Sequence, residues 1–334
     1  MPRSLVALFT ALLFAAPAWA DQAPAPAPVT APTVTPDYTF GVLPLPLVAV
    51  YAIGEATGLP AGPFHQELAA RGGYVWATYA VYDPNSTQMK VLTPLEDANY
   101  WNFYADWGLD LTRHWTVFLD GYTMGGNLTS SPSYDPALVG GVSTSWGPEL
   151  QYSTLDATDF PTRGALVQLE YAPGYHWGTD SFGYQRAWGQ AQRFFSLGGN
   201  RTIALRGIFM TAWPKLAWAD KFAAGGAFYL RGYDWNRFTG DRLLSGSVEY
   251  RDLFWRDMFG LGERIGLPFG LAWELYLDGG RAWESSVGVP FMSDLRFGGG
   301  TGLMLTLDKQ PVGRLELNAS PEGFYPTFGF LAAF

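Results

Sequence analysis

The sequence has no cysteine, which excludes disulfides and thiolate chemistry. It is also short of charge: Asp, Glu, Lys and Arg make up 15% of its 334 residues, against about 25% in soluble domains. Basic groups are the scarcer sign, 21 against 30 acids. The formal net charge of −9 argues against nucleic-acid binding through a basic surface. Three histidines, His65, His114 and His176, lie far apart and show no metal-ligand spacing. After the N-terminus no apolar run approaches the roughly 20 residues of a membrane-spanning helix.

What the chain has instead is aromatic rings and glycine: 14 Trp, 18 Tyr, 23 Phe and 40 Gly. Many aromatics, little charge and no spanning helix fit a transmembrane β-barrel, which needs an apolar outer band and aromatic girdles. A secreted soluble β-sandwich is the alternative that composition allows. Residues 1–20 read as a secretory signal. Arg3 supplies the positive start, Leu5 to Ala16 the apolar core, and Ala18-Trp19-Ala20 a cleavage site, so cleavage is expected near Ala20. An uncleaved anchor is the other reading of this segment. Residues 21–36 form a Pro/Ala-rich linker. Residues 37–334 are uniform in texture and are expected to form one barrel domain.

Alternation at 180° per residue is the strand signature. Ala272, Glu274, Tyr276 and Asp278 alternate with Leu271, Trp273, Leu275 and Leu277. Ser245, Ser247, Glu249 and Arg251 alternate with Leu244, Gly246, Val248 and Tyr250. Arg314, Glu316 and Asn318 alternate with Leu315, Leu317 and Ala319. Each strand thus has one face apolar enough for lipid and one polar enough for water. Turn signals predict eight strands from Gly164 onward. Upstream they predict up to eight shorter ones, with breaks near 70–72, 96–98 and 146–147. The expectation is an all-β, antiparallel transmembrane barrel of sixteen strands, with 12 or 14 as alternatives. One connection is long, about 214–240, and loops of that length are usually functional.

Four elements in order carry a family resemblance. Asp159-Phe-Pro-Thr-Arg-Gly164 contains a turn pattern at Asp159, Pro161 and Gly164. Leu230-Arg231-Gly232-Tyr233 follows Gly225-Gly226 in the long connection. Glu249-Tyr250-Arg251 and Tyr276-x-Asp278-x-Gly280 come next, and the chain closes on a strand ending in Phe330 and Phe334. This layout resembles the outer-membrane assembly and secretion barrels that include BamA, TamA and the two-partner secretion translocators. The resemblance covers about residues 155–334. It implies a barrel whose sixth extracellular loop folds into the lumen, where Arg231 pairs with Asp278 and Glu249 lies nearby. It also implies that Gly232 turns the tip and that Tyr233 packs on the wall. The Asp159 element becomes a periplasmic turn and the terminal phenylalanines an assembly signal.

The function implied is outer-membrane biogenesis, by insertion or translocation of polypeptide or lipid, without POTRA domains of the chain's own. A passive channel or structural barrel is the alternative. A lipid-modifying enzyme is a third reading, and it needs a histidine beside a serine or aspartate, which the sequence does not display. No catalytic residue, cofactor or metal is expected. The expected partners are outer-membrane lipids, the assembly machinery during insertion, and a periplasmic partner or client. Glycines 298–300 sit inside a strand pattern and are expected to relieve crowding against the inserted loop.

Overall fold

The computed structural model describes residues 41–42, 47–61, 64–82, 91–128 and 140–329, except 158–159, 179, 218–219, 227–228, 235–236, 259, 261–267, 286–293 and 308–309. Within those residues side chains are described from residue 101 onward, with 127–140, 310 and 329 left out. The described residues belong to one compact unit, 34–334. The signal and linker segments, Asp159, Phe330 and Phe334 lie outside them.

The N-terminal strands are β1 (Gly41–Val42), β2 (Leu47–Ala61), β3 (Phe64–Tyr82), β4 (Val91–Asp110), β5 (Trp115–Leu128) and β6 (Gly140–Ser153). The middle of the chain forms β7 (Gly164–Trp177), β8 (Phe182–Gly198) and β9 (Arg201–Trp213). Two short strands follow, β10 (Phe222–Ala224) and β11 (Phe238–Gly240). The remainder is β12 (Arg242–Trp255), β13 (Phe269–Trp283), β14 (Arg296–Leu307), β15 (Gln310–Ser320) and β16 (Gly323–Gly329). Among the described residues fourteen strands form one sheet in chain order, with β9 beside β12, and every pairing is antiparallel. Among the described residues β10 and β11 pair with each other alone, inside the β9–β12 connection.

Among the described residues the sheet thus has fourteen strands, one of the alternatives to the favoured sixteen, with six upstream of Gly164 where up to eight were expected. Gly72 and Gly73 look like a turn, yet both pair within β3, to Ala52 and Tyr51 on one side and Phe103 and Asn102 on the other. Residues 96–98 likewise sit inside β4. Gly147-Pro148 sits inside β6, opposite Asp120 and Leu119. Proline has no N–H to give to a ladder. The pairing of β6 with β7 lapses between Ser145 and Glu149 and resumes in the same register. Glycine and proline punctuate short strands, but a long strand with partners on both sides carries them through.

The sheet is inside-out by the standard of a water-soluble core. On β13 the buried positions are Ala272, Glu274, Tyr276 and Asp278, while Trp273, Leu275 and Leu277 are exposed. On β12 the buried positions include Ser245, Ser247, Glu249 and Arg251, while Val248 and Phe254 face outward. Tyr175 and Trp177 on β7, and Phe324 and Phe328 on β16, extend the same exposed apolar surface. A continuous apolar face of this size marks contact with a membrane or partner.

The sheet also curls. Phe160, in the turn before β7, is 3% exposed and clusters with Leu253, Ala272 and Met304 on β12, β13 and β14. In a flat sheet β7 and β14 would stand about 24 Å apart at the usual strand spacing. The Arg251 guanidinium lies 5.4 Å from the Phe160 ring, so the turn wedges an aromatic beneath the charged inner face. Truncating this wedge, Phe160→Ala, is expected to cost about 3–5 kcal/mol, the range for a buried Phe. Urea or heat denaturation of the folded protein measures it, and an unchanged midpoint would show that the turn does not pack there.

Candidate functional site

The β9–β12 connection lies against the buried face of the sheet. Its tip is shaped by backbone before side chains. Gly226 and Leu230 form an isolated bridge, and the Gly226 N–H donates to the Tyr233 carbonyl at 3.0 Å. Gly232 has φ 92°, a left-handed conformation that favours glycine, and a Cβ there would strike the Ala319 carbonyl. Across the gap, a Cβ on Gly298 of β14 would strike the Arg231 carbonyl. Glycine on both sides thus lets the tip approach the wall. Leu230, Tyr233 and Phe238 then pack with Ile208, Leu243 and Ala282 as an apolar cluster around the tip.

Arg231 is 1% exposed and almost entirely enclosed by acceptors. Its Nε donates to Asp278 Oδ2 at 2.7 Å and its Nη2 to Asp278 Oδ1 at 2.9 Å, a two-pronged fork. The Arg231 backbone N–H adds a third bond to Asp278 Oδ2 at 3.0 Å. Nη1 donates to Glu249 Oε2 at 3.0 Å and to Glu316 Oε1 at 3.3 Å. Nη2 also reaches Ser247 Oγ at 3.1 Å, and that hydroxyl donates to Asp278 Oδ1 at 2.6 Å. The guanidinium lies 3.4 Å from the Tyr276 ring centroid. Charge-assisted, bidentate bonds of this kind are the strong class of protein hydrogen bond. They outweigh burial, which by itself would lower the Arg231 pKa, and hold it well above its ordinary value.

The cage continues as a network. Arg251 donates to Glu249 Oε1 at 2.6 Å, and Arg314 bridges Glu274, Glu249 and Glu316. Arg206 lies within electrostatic reach of Asp278 and Glu249. Four arginines, 206, 231, 251 and 314, thus face four carboxylates, 249, 274, 278 and 316. Such formal neutrality lets so many charges share a buried space. The loop is held beyond its tip as well. Arg237 forks onto Glu322 with two bonds of 2.8 Å, and the Tyr233 hydroxyl donates to the Phe297 carbonyl at 3.1 Å.

At the other end of the loop, Asp220 accepts from Tyr122 Oη at 3.2 Å and from Ser143 Oγ. Ser143 Oγ also lies 2.8 Å from His176 Nδ1. The carboxylate sits on the serine and not on the histidine, which is the wrong order for a nucleophile activated by an oriented base. Nearby, carboxylate oxygens of Asp120, Glu149 and Glu170 come within 4.8 Å of one another. Arg186 forks onto Glu170, and Gln168 donates to Glu149 at 2.8 Å.

Residues 141–320 match the Omp85 superfamily domain, slightly more than half of the chain. The chain belongs to the Omp85 superfamily. Every member of the Arg231 cage lies inside the matched span, whereas Tyr122 and Glu322 lie outside it. Among solved structures, this Omp85 chain is similar to BamA from Haemophilus ducreyi lacking POTRA domains 1–3, at a TM-score of 0.54 and 12% identity. That likeness covers 83% of this chain and 58% of the BamA chain, and at such identity it speaks to fold alone. CdiB from Acinetobacter baumannii aligns at a TM-score of 0.49 and 14% identity, over 84% of this chain and 50% of that one. No curated protein sequence matches the chain.

Of the residues singled out from sequence, Arg231, Gly232, Glu249 and Asp278 come together in the Omp85 chain's cage, and Tyr233 packs beside it. Gly164 opens β7 with φ 105°, and Pro161 lies in the turn before it. Among the described residues of that turn, Asp156 accepts from the Thr162 and Arg163 N–H groups at 2.8 and 3.1 Å. His176, which the sequence marks only by its lack of metal-ligand spacing, is a buried strand residue, because alternation on β7 turns it inward while Tyr175 and Trp177 turn out. Sequence reasoning missed Arg314, Glu316, Ser247 and Tyr276 as cage members. Their alternation put them on the polar face, but nothing local chose them as partners of Arg231.

Removing one partner of a buried, bonded ion pair leaves the other charge uncompensated. Arg231→Ala and Asp278→Ala should each cost about 3–5 kcal/mol, and the double variant less than their sum. Denaturation of the four proteins tests this, and strict additivity would show that the two side chains do not interact.

Proposed function

We propose that the chain is an integral outer-membrane β-barrel of bacteria. Its curled sheet closes on itself, its apolar face meets lipid, and the β9–β12 loop occupies the lumen as a lock. In this reading it serves outer-membrane biogenesis by inserting or moving polypeptide or lipid. It carries out no catalysis of its own. The observation that carries the reading is the cage. A loop bound to the inner wall by a neutral network of eight buried charged side chains is a movable part held in one position. A simple pore has no need of such a part. The membrane lipids around the barrel and the machinery that inserts it are its proposed partners, together with a periplasmic protein or client.

The polar inner face favours one other reading, a passive channel. Planar-bilayer recording separates the two. The lock predicts little conductance from the wild type and large, stable conductance from Arg231→Ala. Large conductance from the wild type would favour the channel. Biogenesis itself is tested by deleting the gene and measuring outer-membrane protein and lipid composition. A shift in either is expected, and an unchanged membrane would remove the proposed role.

A further inference from the structure

The loop is fastened at two places by different chemistry. At the tip, Arg231 is met by carboxylates, and a guanidinium keeps its charge across the whole physiological pH range. At the other end, the limb leaving β9 is fastened by Asp220, and its hydrogen-bonding partners there are hydroxyls: Tyr122 Oη on β5 and Ser143 Oγ on β6. Behind them stand Tyr184 Oη on β8, 3.3 Å from Tyr122 Oη, and His176 Nδ1 on β7, 2.8 Å from Ser143 Oγ.

The surrounding charges are committed elsewhere. Arg186 on β8 lies 4.5 Å from the Tyr122 ring centroid and is felt by Asp220, but its fork goes to Glu170 on β7. Lys221, next in the chain, pairs with Glu284 at 2.6 Å, and Lys215 pairs with Asp180. A carboxylate buried among hydroxyls, with no cation bonded to it among the described residues, is a poor home for negative charge. Burial pushes Asp220 up to about 6, against the pull of Ser143, Tyr122 and Arg186.

We propose that Asp220 is a proton-controlled latch on the loop. Protonated, it docks the limb that carries Leu216, Ala217 and Asp220 against β5 and β6; ionised, it lets the limb go while the Arg231 cage keeps the tip in place. The latch rests on the reading of the loop as a lock and adds a means of regulating it. Its direction follows from proton linkage. The carboxyl holds its proton more tightly docked than free, so docking is strongest below the ordinary value of 3.8 and weakens as pH rises to about 6. Two pH units of difference correspond to about a hundredfold in the opening equilibrium.

The absence of cysteine makes the test clean. Ala217 in the limb and Ala224 in the tip cluster are both buried, and each is replaced singly by cysteine in the full chain, purified in detergent. Reaction with dithiodipyridine, a thiol reagent that works in acid, is timed at pH 4 and pH 7. Each reporter is compared with the same reporter carrying Asp220→Asn, which keeps the shape of the neutral side chain. The latch predicts that Ala217→Cys reacts up to about a hundredfold faster at pH 7 than at pH 4, relative to its Asp220→Asn counterpart. Ala224→Cys stays protected at both. If Ala217→Cys shows no such pH dependence while Ala224→Cys is protected, the latch is wrong and the lock stands. If both reporters react freely at pH 4 even with Asp220→Asn, the lock itself is wrong, and the latch with it.

Discussion

The structure turns on one guanidinium that has been taken out of water. Arg231 has a hydrogen-bond partner in every direction its donors point, and the partners come from three strands: Ser247 and Glu249 from β12, Asp278 from β13, Glu316 from β15. For these groups to meet one side chain, three strands must keep a fixed register and the loop must return to a fixed depth. Buried ion pairs add little net stability compared with well-packed apolar groups, but losing one partner is costly. The cage is thus better suited to specifying a single arrangement than to strengthening the fold, and a part held by specificity is one that can be released.

The rest of the chain makes room for that cage. Charge and hydroxyl residues fill the inner face, while Trp, Leu and Phe cover the outer face. Glycine is spent where backbone meets backbone, at Gly232 against Ala319 and at Gly298 against Arg231. Phe160 supports the network from the turn before β7, and the cluster of Leu230, Tyr233 and Phe238 seals its other side. Apolar packing therefore brackets the charges and keeps the local dielectric low, which strengthens each bond within the cage.

Much of this was legible in the sequence, and the reason is geometric. A two-residue period needs no tertiary information, so it placed Glu249, Asp278, Arg314 and Glu316 on one face directly. The Arg-Gly-aromatic tip pointed to the loop, and the likeness to assembly barrels suggested where its arginine goes. What the period cannot say is which residues on a shared face meet. Glu274 turned out to serve Arg314, while Glu316, level with Glu274 two strands along the sheet, reaches Arg231 directly. The favoured count of sixteen exceeds the fourteen strands of the described residues for a related reason. Gly72-Gly73 and Gly147-Pro148 have the local chemistry of turns, and only the pairing partners on either side show that the strands continue. The Asp220 anchor was invisible because Tyr122, Ser143, His176 and Asp220 come from four separate segments without a motif among them.

The central claim is that Arg231 holds the loop inside a closed barrel through Asp278 and its neighbours. A high-resolution structure of the chain in lipid nanodiscs tests it most directly. The account predicts a closed barrel with the Arg231 guanidinium forked onto Asp278 and stacked on Tyr276. A loop lying outside the barrel, with Asp278 facing open water, would contradict it.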